Sequence, residues 1–217
     1  PASSVRPGRT YRARVRHQDT SGRWSHWSAP VQFQSSAPNI ELLQKNLVIS
    51  EIMYNPAGDD AAEFIELFNT GSVALDLTNV RFTKGIDYDF PEGTIISPGA
   101  YLLVVKNTAA FEAKYGPDFP LAPGQYDDDS LNNGGELLKL SLGTLAIHEF
   151  EFDDDLPWPT SPNGEGFSLI LSHTDDYSTV NVLDPLGHGT ALNWRASHAI
   201  DGSPGVSEPT DTFTGDH

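Results

Sequence analysis

Three runs of adjacent aspartates are the residues of this chain best suited to hold a metal ion. They are Asp59 and Asp60, then Asp127, Asp128 and Asp129, then Asp153, Asp154 and Asp155. Calcium takes about six to eight oxygen ligands, usually from loops, and adjacent carboxylates repel one another unless a cation lies between them. Neither triplet has the spacing of an EF-hand loop, so the runs are expected to be solvated acidic loops. The alternative is a bound calcium ion in at least one run.

Side chains for covalent or acid–base catalysis form no recognisable motif. The histidines include no H-E-x-x-H pair, and His188, between two glycines, is predicted to be a turn residue. Ser168 lacks the G-x-S-x-G turn of hydrolases. The chain has no cysteine, which excludes disulfides, thiolate metal sites and cysteine nucleophiles. We therefore expect a protein that is not an enzyme and that has no cofactor, unless calcium is bound.

Two glutamates occur inside apolar strand-like segments. Glu66 shares one face of a predicted strand with Phe64 and Phe68, and Glu51 lies in a similar apolar run. A carboxylate between aromatic rings is costly unless it is paired. We therefore predict that Glu66 or Glu51 pairs with Arg195, next to Trp194, and ties an early strand to the C-terminal segment. The alternative is that both carboxylates are exposed at a sheet edge.

Large aromatics close to the aspartate runs allow a second hypothesis for binding. Trp158 follows the third run and Tyr126 precedes the second. Exposed rings beside bound calcium would suit a calcium-dependent carbohydrate or matrix-binding module. Buried core packing is the more usual fate of a tryptophan, so Trp158 is predicted to lie under a loop.

Charge excludes some partners. The first 38 residues carry six arginines and one aspartate, whereas the remainder carries 29 acidic against seven basic side chains. Because the part of the chain after residue 38 is so acidic, it repels phosphate backbones and anionic bilayers. We therefore expect no nucleic-acid partner. No apolar run approaches the roughly 18 residues that a membrane helix needs, so membrane insertion is not expected either. The chain starts at Pro1, which favours a piece of a longer protein.

The N-terminal 34 residues combine an arginine strand with a tryptophan motif. The strand carries Tyr11, Arg12, Arg14 and Arg16, and the motif carries Trp24 and Trp27 within Trp-Ser-His-Trp-Ser. Arginines two apart facing tryptophans three apart predict a cation–π ladder. The segment resembles the last two strands of a fibronectin type III domain, including a tyrosine corner at Pro7-Gly8 and Tyr11. Because two strands hold no core alone, 1–34 is expected to be the remnant of such a domain.

From Leu47 onward the apolar pattern has a period of two, which predicts strands. Eight short strands separated by turns favour an all-β antiparallel sandwich. They are Leu47–Tyr54, Glu63–Asn69, Ala74–Leu77, Val80–Thr83, Tyr101–Val105, Leu137–Leu142, His148–Phe152 and Phe167–Leu171. A linker is predicted at 35–46, one helical turn at Ala109–Tyr115 and an acidic tail at 206–217.

An ordered series of segments resembles the lamin tail domain, a family with an immunoglobulin-like β-sandwich. The series runs through 47–56, 59–71, 90–94, 97–104, 133–136, 158–159, 166–169, 193–197 and 202–205. The resemblance covers 47–205 and departs from the family in the long stretch 106–131. It implies a non-catalytic module of a larger bacterial secreted or cell-surface protein, with a protein or glycan partner.

Two alternatives to that function remain open. One is the calcium-dependent carbohydrate or matrix binder. The other is an accessory domain of a multidomain hydrolase or CotH-like kinase protein, since bacterial lamin tail domains often lie beside such enzymes. The sequence does not indicate the oligomeric state.

Overall fold

The computed structural model describes residues 10–34, 40–126, 129–172 and 186–208. Several sequence predictions therefore fall outside the described residues: the Pro7-Gly8 turn, the linker at 35–39, Asp127, Asp128 and the end of the tail at 209–217. The chain divides into two compact units, residues 1–40 and 41–217. In the described part of the chain, no helix has the length and apolar character needed to cross a bilayer.

The first unit contains an antiparallel hairpin of β1 (Thr10–Ala13) and β2 (Val31–Gln34). Tyr11 lies opposite Phe33, and their rings stack with centroids 5.9 Å apart. The loop between the strands is held by a turn in which the Asp19 carboxylate accepts the N–H groups of Ser21 and Arg23.

The larger unit begins with α1 (Ile40–Asn46), a short helix within the predicted linker, which leads directly into β3 (Leu47–Met53). A five-stranded sheet is built around β3. Its other strands are β4 (Phe64–Asn69), β9 (Tyr101–Val105), β12 (Leu169–Leu171) and β13 (Trp194–Ala196), in the order β13-β12-β3-β4-β9. All pairings between neighbouring strands of this sheet are antiparallel.

A four-stranded antiparallel sheet faces the first. It contains β6 (Val80–Lys84), β7 (Tyr88–Asp89), β10 (Glu136–Leu142) and β11 (Leu145–Phe152), in the order β11-β10-β6-β7. A small ladder pairs β5 (Leu75–Asp76) with β8 (Ile95–Ile96). The fold is an immunoglobulin-like antiparallel β-sandwich, which confirms the predicted fold class.

Period-two alternation explains the sandwich core. In β4, Ile65 and Leu67 are fully buried, and in β11 the buried Phe150 and Phe152 alternate with the exposed Glu149 and Glu151. Alternating side chains point to opposite faces of a strand, so one face of each sheet supplies the interior. The tilted rings of Tyr54, which follows β3, and of Phe152 in β11 pack together with centroids 5.3 Å apart.

The other face of the five-stranded sheet is also covered. The α2 helix (Thr108–Tyr115) packs Phe111 into a cluster with Met53, Phe64, Leu103 and Val105. The Asn107 side chain caps its first turn by accepting the Ala110 N–H. This helix lies in the long stretch 106–131 between β9 and β10. It explains why β4 is apolar on both faces.

Residues 120–126 run along the outer edge of β9. Leu103 donates its N–H to the Pro120 carbonyl, and its carbonyl accepts the Ala122 N–H. Tyr126 then donates its N–H to the Val105 carbonyl. The free hydrogen-bonding edge of β9 is therefore used by the chain itself.

Candidate functional site

Glu51 and Glu66 lie opposite each other on adjacent strands of the five-stranded sheet. Both are nearly inaccessible, with 1% and 2% of their surface exposed. Ser50 is an extra residue in β3 between the pairs Ile49–Leu67 and Glu51–Glu66, so it forms a bulge. The bulge directs the Ser50 hydroxyl to the Glu66 carboxylate, to which it donates at 2.6 Å.

The C-terminal segment, residues 197–208, supplies most of the other partners of this glutamate pair. Ser203 donates its N–H to Glu51 at 3.0 Å, and Gly205 donates its N–H to Glu66 at 2.6 Å. Ser168, the residue before β12, donates its hydroxyl to Glu51 at 2.5 Å. Among the described residues, both carboxyl groups are thus held by hydroxyls and backbone amides rather than by a cation.

A sharp turn brings the C-terminal segment onto the carboxyls. Asp201 and Gly202 both have a positive φ, 74° and 73°, and Asp201 forms an ion pair with Lys114 of α2 at 2.6 Å. A Cβ on Gly202 would lie 2.0 Å from the Glu51 Oε1 atom. Only glycine fits here, because its missing side chain leaves room for the carboxylate.

The predicted ion pair between Arg195 and Glu51 or Glu66 is wrong. Arg195 instead contacts the Glu208 carboxylate at 3.3 Å, and Glu208 also accepts the His198 N–H. Ile170 of β12 lies between Glu51 and Arg195 in the sheet register, so one strand separates the two side chains. The alternative of two exposed carboxylates is wrong as well, since a folded-back segment covers them.

Burial without a cation shifts the titration of both carboxyls. Desolvation raises the pKa of Glu51 from 4.5 to about 7, and the hydrogen bonds from Ser168 and Ser203 only partly oppose it. Desolvation, followed by the charge of Glu51, raises the pKa of Glu66 from 4.5 to about 8. Near neutral pH the glutamate pair therefore holds at least one proton in the folded state.

Two buried histidines form a pair that the sequence did not predict. The rings of His148 and His188 are 4.4 Å apart, and both residues are almost completely buried. The Ile49 N–H donates to the His188 Nε2 atom at 3.1 Å, so His188 lies in a turn, as predicted, and its ring is also part of the core. Alternation in β11 gave a signal for His148, because it shares the inward face with Phe150 and Phe152.

Of the predicted metal ligands, the structure brings together Asp153, Asp154 and Asp155, which follow β11. Each offers a carboxylate oxygen, and these oxygens lie within 4.8 Å of one another. Asp129 is held elsewhere, because its carboxylate accepts the N–H groups of Asp87 and Ser130.

The two aromatics near the aspartate runs are buried. Trp158 is 8% exposed and packs against Trp194 with ring centroids 6.1 Å apart, as the core prediction required. Tyr126 is 3% exposed. The hypothesis that these two rings form an exposed sugar-stacking patch is therefore wrong.

In the first unit, the predicted cation–π ladder is reduced to one arginine among the described residues. The Arg16 guanidinium lies 4.3 Å from the Trp24 ring and 4.6 Å from the Trp27 ring, so it is held between them. Arg12 instead donates to the Gln32 side chain. Arg14 and Arg12 line a hollow beside Trp27. The strand ends at Ala13, so Arg16 lies beyond the regular alternation that predicted three stacked arginines.

Comparison with known proteins gives one family. Curated proteins and solved structures show no significant match to the chain. The family model of the Lamin Tail Domain matches residues 43–153, from α1 to the residue that follows β11. This match covers half of the chain and the strands that carry the glutamate pair, and so the chain belongs to the lamin tail domain family.

Proposed function

We propose that this chain is a non-catalytic interaction and structural module of a larger bacterial protein that is secreted or displayed on the cell surface. Its first 34 residues would be the end of a neighbouring fibronectin type III domain, a proposal supported by Arg16 between two tryptophans. A protein or glycan is the expected partner. Nucleic acid is disfavoured by the formal net charge of −17.

The observation that carries the proposal is the burial of the groups best suited to acid–base chemistry. At most 2% of the surface of each is exposed. They are Glu51, Glu66, Ser168, His148 and His188. A catalytic group must reach its substrate within hydrogen-bond distance, and these side chains contact the protein's own strands and segments instead. Hence they support the fold rather than a reaction.

Exposed apolar side chains supply a surface for a partner. Leu156 and Leu192 are 82% and 81% exposed. Each precedes by two residues a tryptophan of the Trp158–Trp194 contact, and we infer from this that the two leucines belong to one surface. Large apolar groups with this exposure are typical of recognition sites when they cluster.

Binding assays on the purified chain test the proposal. The chain would be screened against immobilised matrix proteins and a glycan array, with and without a chelator. The double variant L156S/L192S should lose at least about tenfold in affinity for a partner so found. The control V73S/I95S removes two half-exposed apolar side chains beside the β5–β8 ladder and should bind normally. Equal binding by all three proteins would exclude the leucine surface.

A calcium-dependent carbohydrate or matrix binder remains a second candidate, favoured by the Asp153–Asp155 group. The glycan array distinguishes it, since binding would then disappear with chelator. The third candidate, an accessory domain of a hydrolase or CotH-like kinase protein, would appear as binding to that enzyme's substrate without turnover by this chain.

A further inference from the structure

The first unit has an open hollow of about 360 Å³ beside the ends of its two strands. The end of β1 contributes Arg12 and Arg14, and the segment before β2 contributes Trp27 and Pro30. Trp27 is 55% exposed, and the Arg16 guanidinium lies 4.6 Å from its ring, which holds the ring in place. The volume falls within the range of about 300–1,000 Å³ that is usual for ligand sites.

Hydrogen bonds join the two segments that line the hollow. Val15 donates its N–H to the Ser28 hydroxyl at 3.1 Å, and its carbonyl accepts the Ser28 N–H at 2.8 Å. The Arg12 Nε atom donates to the Gln32 side chain at 3.2 Å, which orients that guanidinium. A site whose walls are fixed before binding loses less conformational entropy when a ligand enters.

The positive charge of the hollow lacks a carboxylate partner in the described part of the chain. The acidic side chain of residues 10–34 is Asp19, and Arg23 already contacts it at 3.3 Å. None of the ion pairs among the described residues includes Arg12 or Arg14. Two guanidiniums therefore share a space next to an exposed indole, and an anion can enter that space.

The arginines lie on one face of the β1–β2 hairpin. Tyr11 and Phe33 are paired and stacked, and they alternate with the pair Arg12 and Gln32, so the two pairs point to opposite faces. The apolar face with Tyr11 and Phe33 is the one that the rest of a fibronectin type III domain would cover. The face with the arginines would then stay accessible.

We propose that this hollow binds an acidic sugar residue of a glycan, with its carboxylate or sulfate on Arg12 and Arg14 and its ring packed against Trp27. This inference rests on the proposed function as an interaction module and narrows the partner to one chemical class. The planar guanidinium can hold two oxygens of one anionic group, and the indole offers an apolar face for the C–H groups of a sugar ring.

Charge also limits which glycan fits. The formal net charge of the chain is −17, so a densely charged polyanion such as nucleic acid is repelled. A glycan whose anionic groups are separated by neutral sugars reduces that repulsion and still supplies one anion to the two arginines. The favoured ligand is therefore an acidic oligosaccharide of low charge density.

Calorimetry and tryptophan fluorescence on the full chain test the site with three tetrasaccharides. A hyaluronan tetrasaccharide alternates carboxylated and neutral sugars, a chondroitin sulfate tetrasaccharide adds sulfate, and cellotetraose is neutral. We expect one site per chain, and at least one acidic probe should bind at least about tenfold more tightly than cellotetraose at low ionic strength. The tighter acidic probe identifies the preferred anionic group. Binding of neither acidic probe, or equal binding of all three, would overturn the proposal.

Two further probes separate a sugar site from a general anion site. Inorganic sulfate lacks a ring to pack on Trp27 and should bind at least about tenfold more weakly than the better acidic tetrasaccharide. A short oligothymidylate should also bind more weakly, because its phosphates are closely spaced. Equal affinity for either of these probes and the tetrasaccharide would overturn the assignment to an acidic sugar.

Variants locate the ligand. R14Q should weaken binding of the better acidic probe by at least about fivefold, and R12Q/R14Q by at least about 20-fold. The control R23Q removes the same charge from the same unit, but Arg23 contacts Asp19, so the affinity should change by less than about twofold. Near-UV circular dichroism checks that the tryptophans keep their packing in each variant. Equal weakening by R14Q and R23Q would overturn the site.

The leucine variant distinguishes this inference from the proposed function. L156S/L192S leaves both arginines in place and should bind the acidic probe normally, whereas loss of that binding would overturn the hollow as the site. If the chain binds a partner through its leucines but binds no acidic saccharide, the hollow is excluded and the proposed function stands. If it binds neither, both are excluded.

Discussion

The molecule has two acidic clusters, the glutamate pair and the aspartate loop, and they differ in burial and in hydrogen bonding. Glu51 and Glu66 are buried, and hydroxyls and amides of the chain satisfy their oxygens. Asp153, Asp154 and Asp155 lie on a loop, and most of their oxygens have no protein donor in the described residues. The first cluster lowers its charge by binding protons, whereas the second retains a charge that a cation would neutralise. In the sequence they differ in their surroundings, because the glutamates lie in apolar strand segments and the aspartates form a consecutive run.

The largest expected effect is a pH dependence of stability from the glutamate pair. Both pKa values rise on folding, from 4.5 to about 7 and about 8, so the folded state binds more protons between these limits. As far as these groups are concerned, stability is highest below pH 4.5, and it falls as the pH rises towards 8. We expect a loss of at least about 3 kcal/mol over that range, because the shift of Glu51 alone corresponds to that much, and urea unfolding at a series of pH values measures it.

The variant E66Q isolates this effect. Glutamine mimics the protonated acid, and the Ser50 hydroxyl reorients to accept from it, so E66Q should be more stable than the unmodified chain at pH 8 and similar to it at pH 5. Identical pH profiles for the two proteins would show that the pair does not take up protons on folding.

The second effect concerns the close approach of the C-terminal segment to Glu51. G202A places a Cβ against the carboxylate at a positive φ and should destabilise the chain by about 2–3 kcal/mol. The matched control is G99A, with φ +68° and open space around its Cβ, which should cost only about 1 kcal/mol. Chemical denaturation measures the loss of stability in both variants. Equal losses would mean that the C-terminal segment moves away from Glu51 without strain.

A smaller effect is expected at the rim of the glutamate pair. E208Q weakens the contact with Arg195 and should cost about 1 kcal/mol. It also removes a negative charge that raises the pKa of Glu51 and Glu66, so the pH at which stability falls should move downward. A profile that keeps its midpoint would show that Glu208 does not act on the pair.

The smallest effect is expected at the aspartate loop in the absence of metal. D154N relieves repulsion but weakens the Asn163 contact, and we expect a change within about 0.5 kcal/mol. A large loss of stability in metal-free buffer, seen by the same denaturation, would place the aspartates in the folding core and break the contrast between the two clusters.

The sandwich was predictable because alternation is local. In β11, apolar residues alternate with acidic ones, Phe150 and Phe152 with Glu149 and Glu151. This alternation indicates a strand with one buried face, and the structure has that strand. The surroundings of Glu51 were not predictable. The bulge at Ser50 depends on the pairing of β3 with β4, and the left-handed turn at Asp201 and Gly202 brings Ser203 onto Glu51, 152 positions away. The preference of a carboxylate for arginine predicted the wrong partner, because sequence does not reveal which strand separates Arg195 from Glu51.

The segment along the edge of β9 has a consequence for how copies of this module behave at high density. Since Pro120 and Ala122 already occupy the amide and carbonyl of Leu103, a strand from another molecule finds nothing to extend there. Crowded or tandem copies are thereby protected, on that side, from joining into fibrils.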